Sequence, residues 1–126
     1  MMPKGPFDLI DSTNIDVLHA KAFYLNEIED LNGALGAYQK ITKFAPNYED
    51  AYFNSGLIYL EMDSLDAALK QLDILMEVSP IYVKGYYYRG LVKEMQGKAT
   101  SAANDFKQAL KFAPNYAQAK EALERV

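Results

Sequence analysis

The sequence contains no cysteine, which excludes disulfide bonds, thiolate metal sites and cysteine nucleophiles. It also has a single histidine, His19, whereas a metal site needs several nitrogen or carboxylate ligands that converge. We therefore expect no metal and no cofactor. A pH-dependent contact through His19 competes with the simpler interpretation of an ordinary, partly exposed histidine.

Positive charge is scarce as well. The chain has 13 lysines and arginines against 17 acidic residues, a net charge of −4 and a pI near 4.9. A nucleic-acid-binding protein needs a clustered basic surface, and docking on an anionic membrane needs one too. No apolar run approaches the roughly 20 residues that span a bilayer. We therefore expect that the protein neither binds nucleic acid nor inserts into a membrane.

Enzyme motifs are also missing: there is no glycine-rich phosphate loop, no serine elbow and no HExxH. Carboxylates such as Glu61 and Asp73 fit the solvated surface of helices. We therefore expect a non-catalytic protein. The first residues lack the apolar segment of a secretory signal, so a cytoplasmic location is expected. A periplasmic protein, or the soluble part of a larger or anchored protein with its signal removed, is the alternative.

What the sequence does contain is a repeat. The segment Lys43–Tyr48 returns letter for letter as Lys111–Tyr116. Pro46, Pro80 and Pro114 are spaced by 34 residues twice. A fixed period of that length is typical of stacked repeat architectures.

The period divides the chain into three blocks, each with two apolar-periodic segments and a break between them. The blocks are residues 15–48, 49–82 and 83–116. Each is predicted to be a helix–turn–helix, with proline ending it. Ser64 or Asp63 is expected to cap the helix that follows, and Gly97 to close the one before it.

The two ends depart from this pattern. Residues 117–126 begin a fourth block, and Lys120 and Glu124 predict a capping helix with a polar face. Residues 1–14 form an N-terminal segment in which Leu9-Ile10-Asp11 is either the remnant of a preceding repeat or part of a disordered start.

The blocks resemble tetratricopeptide repeats, and the resemblance extends from Ile15 to Val126. The family favours large, small, aromatic, alanine, aromatic, alanine and proline residues at fixed positions of its repeat. The second block has Tyr52, Gly56, Tyr59, Ala68, Leu72, Leu75 and Pro80 there. The resemblance implies an all-α fold, a right-handed α-solenoid of antiparallel helix pairs in which Gly56 and Gly90 allow close helix approach. Lys93 departs from the pattern, since it replaces an aromatic residue.

In this family the first helix of each pair lines a concave groove, which implies a protein–protein interaction module. The residues carried over as partner-binding are His19, Phe23, Asn26, Asp50, Phe53, Asn54, Leu57, Leu60, Lys84, Tyr87, Tyr88 and Leu91. They predict an apolar and aromatic groove with acidic edges, which favours a partner segment with apolar anchors and basic residues. Within the consecutive tyrosines, Tyr86 is expected in the core, Tyr87 in the groove and Tyr88 between repeats.

Two alternatives stay open. Helix tilt or the N-terminal segment would make these residues core, or the same faces would serve a structural role through a homo-oligomer or a longer array. Some family members hold a carboxylate with five polar residues, but the corresponding positions here are His19, Phe23, Asn54, Lys84 and Tyr88. Because Asn54 and Lys84 alone match, we do not expect binding of a chaperone tail.

Overall fold

The computed structural model describes residues 13–126, and within this range the chain forms seven α-helices and no β-strand. The helices are α1 (Ile15–Glu27), α2 (Leu31–Phe44), α3 (Glu49–Glu61), α4 (Leu65–Val78), α5 (Val83–Met95), α6 (Ala99–Phe112) and α7 (Ala117–Arg125). The all-α fold class is confirmed. The segment Leu9-Ile10-Asp11, considered as a remnant of an earlier repeat, lies outside the described residues.

The chain divides into two compact units, one ending at Asn54 and the other beginning at Ser55. In the first unit α1 packs against α2. Its core is made of small and aliphatic side chains with one tyrosine. These residues are Leu18, Ala22, Ala34, Leu35, Ala37, Tyr38, Ile41 and Ala51.

In the second unit α5 packs against both α4 and α6, and α7 packs on α6 and α5. Its close helix approach depends on glycine: a Cβ on Gly56 would meet Leu72, and one on Gly90 would meet Phe106, at 2.9 and 2.5 Å. The predicted role of these two glycines is therefore confirmed. Ala102, Phe106 and Ala122 form one core cluster here, with Tyr87, Leu91 and Leu123 packed against it.

In the first unit, side chains cap the N-termini of α1 and α2. The Val17 N–H donates to Asn14 Oδ1 at 3.2 Å, and the Gly33 N–H donates to Asp30 Oδ1 at 3.0 Å. Of the two predicted candidates, Ser64 occupies the N-cap of α4, but its side chain makes no capping hydrogen bond. Its backbone angles are close to those of Asp30, and its side chain is one bond shorter.

Three residues at equivalent repeat positions adopt left-handed backbone: Glu29 at φ 62°, Asp63 at φ 58° and Gly97 at φ 80°. Gly97 thus closes α5 as predicted.

A residue with a side chain pays about 1–2 kcal/mol to adopt this left-handed conformation. Glycine avoids that cost, but it loses more chain entropy on folding, which offsets part of the advantage. We expect Glu29→Gly to raise the free energy of unfolding by about 0.5–1 kcal/mol. Gly97→Ala should lower it by a similar amount in urea unfolding, and a change of the opposite sign in either variant would contradict this account.

Candidate partner-binding surface

None of the twelve partner-binding residues predicted from the sequence is buried in the core. Phe23 is 59% exposed, Lys84 is exposed, and the other ten are half-buried. On the same helices Leu18, Ile58 and Val92 are fully buried. Each first helix therefore has one face in the core and another that keeps access to solvent.

In the first unit, His19 on α1 is held between two tyrosine rings. Its Nδ1 lies 2.9 Å from the Tyr48 hydroxyl, within hydrogen-bonding distance. The Tyr48 ring meets the imidazole edge-on at 5.8 Å, and the buried Tyr38 of α2 meets it at 6.1 Å. His19 is thus positioned by the tyrosine that ends its own repeat block.

The second unit repeats this arrangement with tyrosine in place of histidine. The Tyr87 ring of α5 lies 6.0 Å from Phe106 of α6 and 5.2 Å from Tyr116, which ends the third block. It also contacts Tyr88 at 5.1 Å. This role of the block-ending tyrosines was not predicted: their recurrence every 34 residues marks the positions but does not identify the rings that they contact.

Tyr86 differs from its prediction. We expected it in the core, but it is half-buried. Its hydroxyl donates a 2.7 Å hydrogen bond to the Pro80 carbonyl, and its ring stacks on the exposed Phe112 at 6.0 Å. The hydroxyl needs a polar partner, which keeps this edge of the ring near the surface. Tyr52 makes the equivalent bond to Pro46 in the first unit, at 2.8 Å.

Four of these tyrosines have shifted acidities. Burial raises the pKa of Tyr38 above its usual value of 10.0, and the nearby Asp50 and Tyr48 raise it further. Burial likewise raises the pKa of Tyr48, Tyr87 and Tyr116. The folded state therefore favours protonated tyrosine. The stabilisation is fully present at pH values below the pKa of tyrosine in the unfolded chain. It is lost as pH rises through the higher pKa that these tyrosines have in the folded protein.

We expect ultraviolet titration of the folded protein to show these four packed tyrosines ionising above their usual pKa of 10.0, together with loss of helicity. In urea this upward shift of the pKa should disappear. A folded protein that shows no tyrosine with a raised pKa would contradict the packed arrangement.

A buried ion network occupies the α5–α6 contact in the second unit. Asp105 is 3% exposed and accepts two hydrogen bonds from Arg89, at 3.0 and 2.8 Å. Lys93 Nζ lies 2.8 Å from the same carboxylate, and Arg89 also reaches Asp73 at 3.1 Å. Burial alone would lower the pKa of Arg89, but its bonds to Asp105 and the charges of Asp105 and Asp73 raise it overall. Asp105 therefore explains why Lys93 replaces an aromatic residue.

The two units differ in how much unpaired acidic charge their surfaces carry. In the second unit Arg125 of α7 makes two 2.7 Å hydrogen bonds to the Glu94 carboxylate, which lower its pKa. In the first unit Asp16 and Glu27 lie exposed on α1. The first unit also contains a pocket of about 400 Å³, which is lined by Asn47, Tyr48, Glu49 and Asp50. The first unit thus offers the more acidic surface.

Within residues 13–126 no group of three or more histidine, aspartate or glutamate side chains is placed to hold a metal ion. In that same range no helix combines the length and the apolarity that crossing a bilayer requires.

Comparison with known proteins finds two informative relatives. Human tetratricopeptide repeat protein 6 is 33% identical over 113 residues, which are 86% of this chain and 22% of that protein. Rat serine/threonine-protein phosphatase 5 is 29% identical over 92 residues, 73% of this chain and 18% of that protein. The chain therefore spans a small part of each relative. No protein-family model matches it.

Among solved structures, the chain is similar to the first tetratricopeptide repeat domain of Spaghetti bound to the HSP90 peptide SRMEEVD. The TM-score is 0.85 at 22% identity, and the match covers 92% of both chains. At this identity the likeness shows the fold.

Proposed function

Because the chain belongs to the tetratricopeptide repeat family, we propose that it is a non-catalytic module that binds a segment of a partner protein through the accessible faces that α1, α3 and α5 each present. The observation that carries the proposal is that all twelve predicted residues keep solvent access, whereas Leu18, Ile58 and Val92 on the same helices are buried. The similarity to phosphatase 5 involves its repeat part and gives no support for catalysis.

The proposed partner segment carries two or three apolar anchors beside lysine or arginine. Anchors would pack on Phe23, Phe53, Leu57 and Leu91, each contributing about 1.5–3 kcal/mol of gross burial. The acidic surface of the first unit would attract the basic residues of this segment. Ordering and docking costs offset much of this burial, so the expected Kd is on the order of micromolar.

Selection of displayed peptides on the immobilised protein tests the proposal. We expect enriched peptides to combine aliphatic or aromatic anchors with basic residues. Phe53→Glu with Leu57→Glu should weaken their binding at least about thirtyfold, because it replaces two apolar contacts by charge. The matched control, Gln39→Glu with Gln108→Glu, adds the same charge at exposed positions of α2 and α6. Equal binding by wild type and the Phe53 and Leu57 variant, at unchanged helicity, would exclude this surface.

The HSP90 peptide that binds the Spaghetti domain is expected not to bind here. Of the positions implied for a carboxylate clamp, His19, Phe23 and Tyr88 offer no lysine, asparagine or arginine. Two remaining polar residues cannot supply the multiple charge-assisted bonds that a carboxylate needs. Micromolar binding of SRMEEVD in a titration would contradict the proposed partner chemistry.

A structural role through homo-oligomerisation is the second candidate, favoured by the exposed apolar side chains of α1. Light scattering separates the two functions. A monomer across the accessible concentration range supports partner binding, whereas a concentration-independent dimer supports the structural role.

A further inference from the structure

The pocket of the first unit lies where an aromatic residue and two acidic residues follow one another along the chain. Asn47, Tyr48, Glu49 and Asp50 line it, and its volume is about 400 Å³. Ligand pockets in proteins span roughly 300–1,000 Å³, so this one has room for the end of a long side chain. Tyr48 and Asp50 are half-buried, and Asn47 and Glu49 are exposed. We refer to these four residues as the Tyr48 pocket.

Tyr48 is held in a fixed position at this pocket. Its hydroxyl lies 2.9 Å from Nδ1 of His19, and its ring meets the imidazole edge-on at 5.8 Å. The Tyr48 N–H donates a 3.0 Å hydrogen bond to the Ala45 carbonyl, and the Ala51 N–H donates at 3.2 Å to the Tyr48 carbonyl. The wall of the pocket is therefore formed before a ligand arrives, which lowers the ordering cost of binding.

The charge around the Tyr48 hydroxyl is negative. Burial raises the pKa of Tyr48, and the carboxylates of Asp50 and Asp16 raise it further, so both lie within electrostatic reach of the hydroxyl. Within residues 13–126, Asp16 and Glu49 form no ion pair. The N-terminus of α3 also lies here and carries about half a positive charge. That is less than the two negative charges that Glu49 and Asp50 place in its first turn, so the pocket attracts cations.

The third block has the same local structure without the acidic charge. Residues 111–116 repeat residues 43–48, and Ala117 and Gln118 follow them. The turn is the same in both, since each block-ending tyrosine N–H donates a 3.0 Å hydrogen bond to the alanine carbonyl three residues before it. Burial and neighbouring tyrosines raise the pKa of Tyr116. The turn therefore forms with either pair of following residues, and it does not require the two carboxylates of the first unit.

An arginine side chain suits this combination of groups better than a lysine. Its planar guanidinium stacks on aromatic rings and forms two parallel hydrogen bonds to one carboxylate. It is also more weakly hydrated than an ammonium, so it loses less hydration on entering a half-buried pocket. The Tyr48 pocket offers one aromatic side chain and the carboxylates of Glu49 and Asp50.

We propose that the Tyr48 pocket binds an arginine side chain of the partner segment, with its guanidinium packed on Tyr48 and paired with the carboxylates of Glu49 and Asp50. This inference rests on the proposed function and deepens it, because it identifies the basic residue of the partner as arginine and its site as the start of α3. Peptides enriched by display selection are then expected to carry arginine, rather than lysine, beside their apolar anchors.

The probe is Nα-acetyl-arginine methylamide, which presents the side chain without a free carboxylate or a charged backbone amine. Its controls are the lysine derivative, which has an ammonium, and the citrulline derivative, which is a neutral isostere of arginine. We expect the arginine derivative to move the amide chemical shifts of Tyr48, Glu49 and Asp50, with a Kd on the order of millimolar for a ligand of this size. The lysine derivative should bind at least threefold more weakly, and the citrulline derivative should leave these amides unshifted.

Glu49→Ala with Asp50→Gln gives the first unit the two residues that follow the same six-residue segment in the third block, so the fold is expected to be retained. The variant should weaken binding of the arginine derivative at least tenfold, at unchanged circular dichroism. Glu121→Ala with Glu124→Gln removes the same charge from exposed positions of α7 and should leave binding unchanged.

Three results would overturn the proposal: equal binding of the arginine and citrulline derivatives, equal binding of the arginine and lysine derivatives, or binding that the Glu49 and Asp50 variant leaves unchanged. Failure of the proposed function gives a different result, in which display-selected peptides perturb α2, α4 and α6 alone while the arginine derivative still titrates the Tyr48 pocket. Conversely, selected peptides that bind α1, α3 and α5 equally well after their arginine is replaced by citrulline would support the proposed function and exclude the arginine pocket.

Discussion

Asp105→Ala is expected to lower the free energy of unfolding by about 3 kcal/mol, because it leaves two cations at the α5–α6 contact without their carboxylate. Removing one member of a buried ion pair costs about 3–5 kcal/mol. Here Arg89 and Lys93 keep 19% and 16% of their side-chain exposure, so water relieves part of the cost. Urea unfolding followed by circular dichroism measures the difference.

Asp73→Ala is the matched control, because it removes the other carboxylate bound by Arg89. Asp73 is 51% exposed, and a pair of this kind contributes at most about 1 kcal/mol. Replacing Asp105, Arg89 and Lys93 together by leucine should recover most of the lost stability. A loss below about 1 kcal/mol for Asp105→Ala would show that the network contributes as little as a surface pair.

Gly90→Val is expected to lower the free energy of unfolding by about 3 kcal/mol, because the added side chain collides with a buried ring. Even a Cβ at this position would lie 2.5 Å from Phe106 Cε1 and 2.8 Å from its Cδ1. Phe106 is fully buried and has no space to retreat, so α5 and α6 must separate. Thermal and urea unfolding measure the loss.

Gly36→Ala provides the control for glycine in a helix interior. A Cβ on Gly36 meets no atom within 4 Å, so the substitution should stabilise the protein by about 1 kcal/mol through helix propensity. Combining Gly90→Val with Phe106→Leu should recover part of the stability lost by Gly90→Val alone. Equal effects of the substitutions at Gly36 and Gly90 would contradict the close approach of α5 and α6.

The fold was predictable because its signals are local and repeated. Prolines every 34 residues end the helix pairs, and Gly97 needs the left-handed conformation that glycine favours. Glu29 and Asp63 adopt that conformation at the equivalent positions without glycine, so residue type alone did not reveal them. Local hydrogen bonds accompany this conformation: the Asp30 N–H donates to the Leu25 carbonyl and the Ser64 N–H to the Tyr59 carbonyl, each at 2.8 Å.

The candidate site was predictable in part. Helical spacing places Phe23 and Leu57 away from the core, and the structure leaves both accessible. Spacing could not reveal that Tyr48 holds His19, nor that Lys93 pairs with Asp105, since both contacts join residues on different elements. The partner-binding role of the twelve residues stays a prediction.

Chemical-shift mapping of the protein with a peptide enriched by display selection tests the proposed function most directly. We predict that the perturbed amides lie on α1, α3 and α5, near Phe23, Leu57 and Leu91, and that the perturbations saturate at micromolar peptide. Perturbations confined to α2, α4 and α6 would contradict the account.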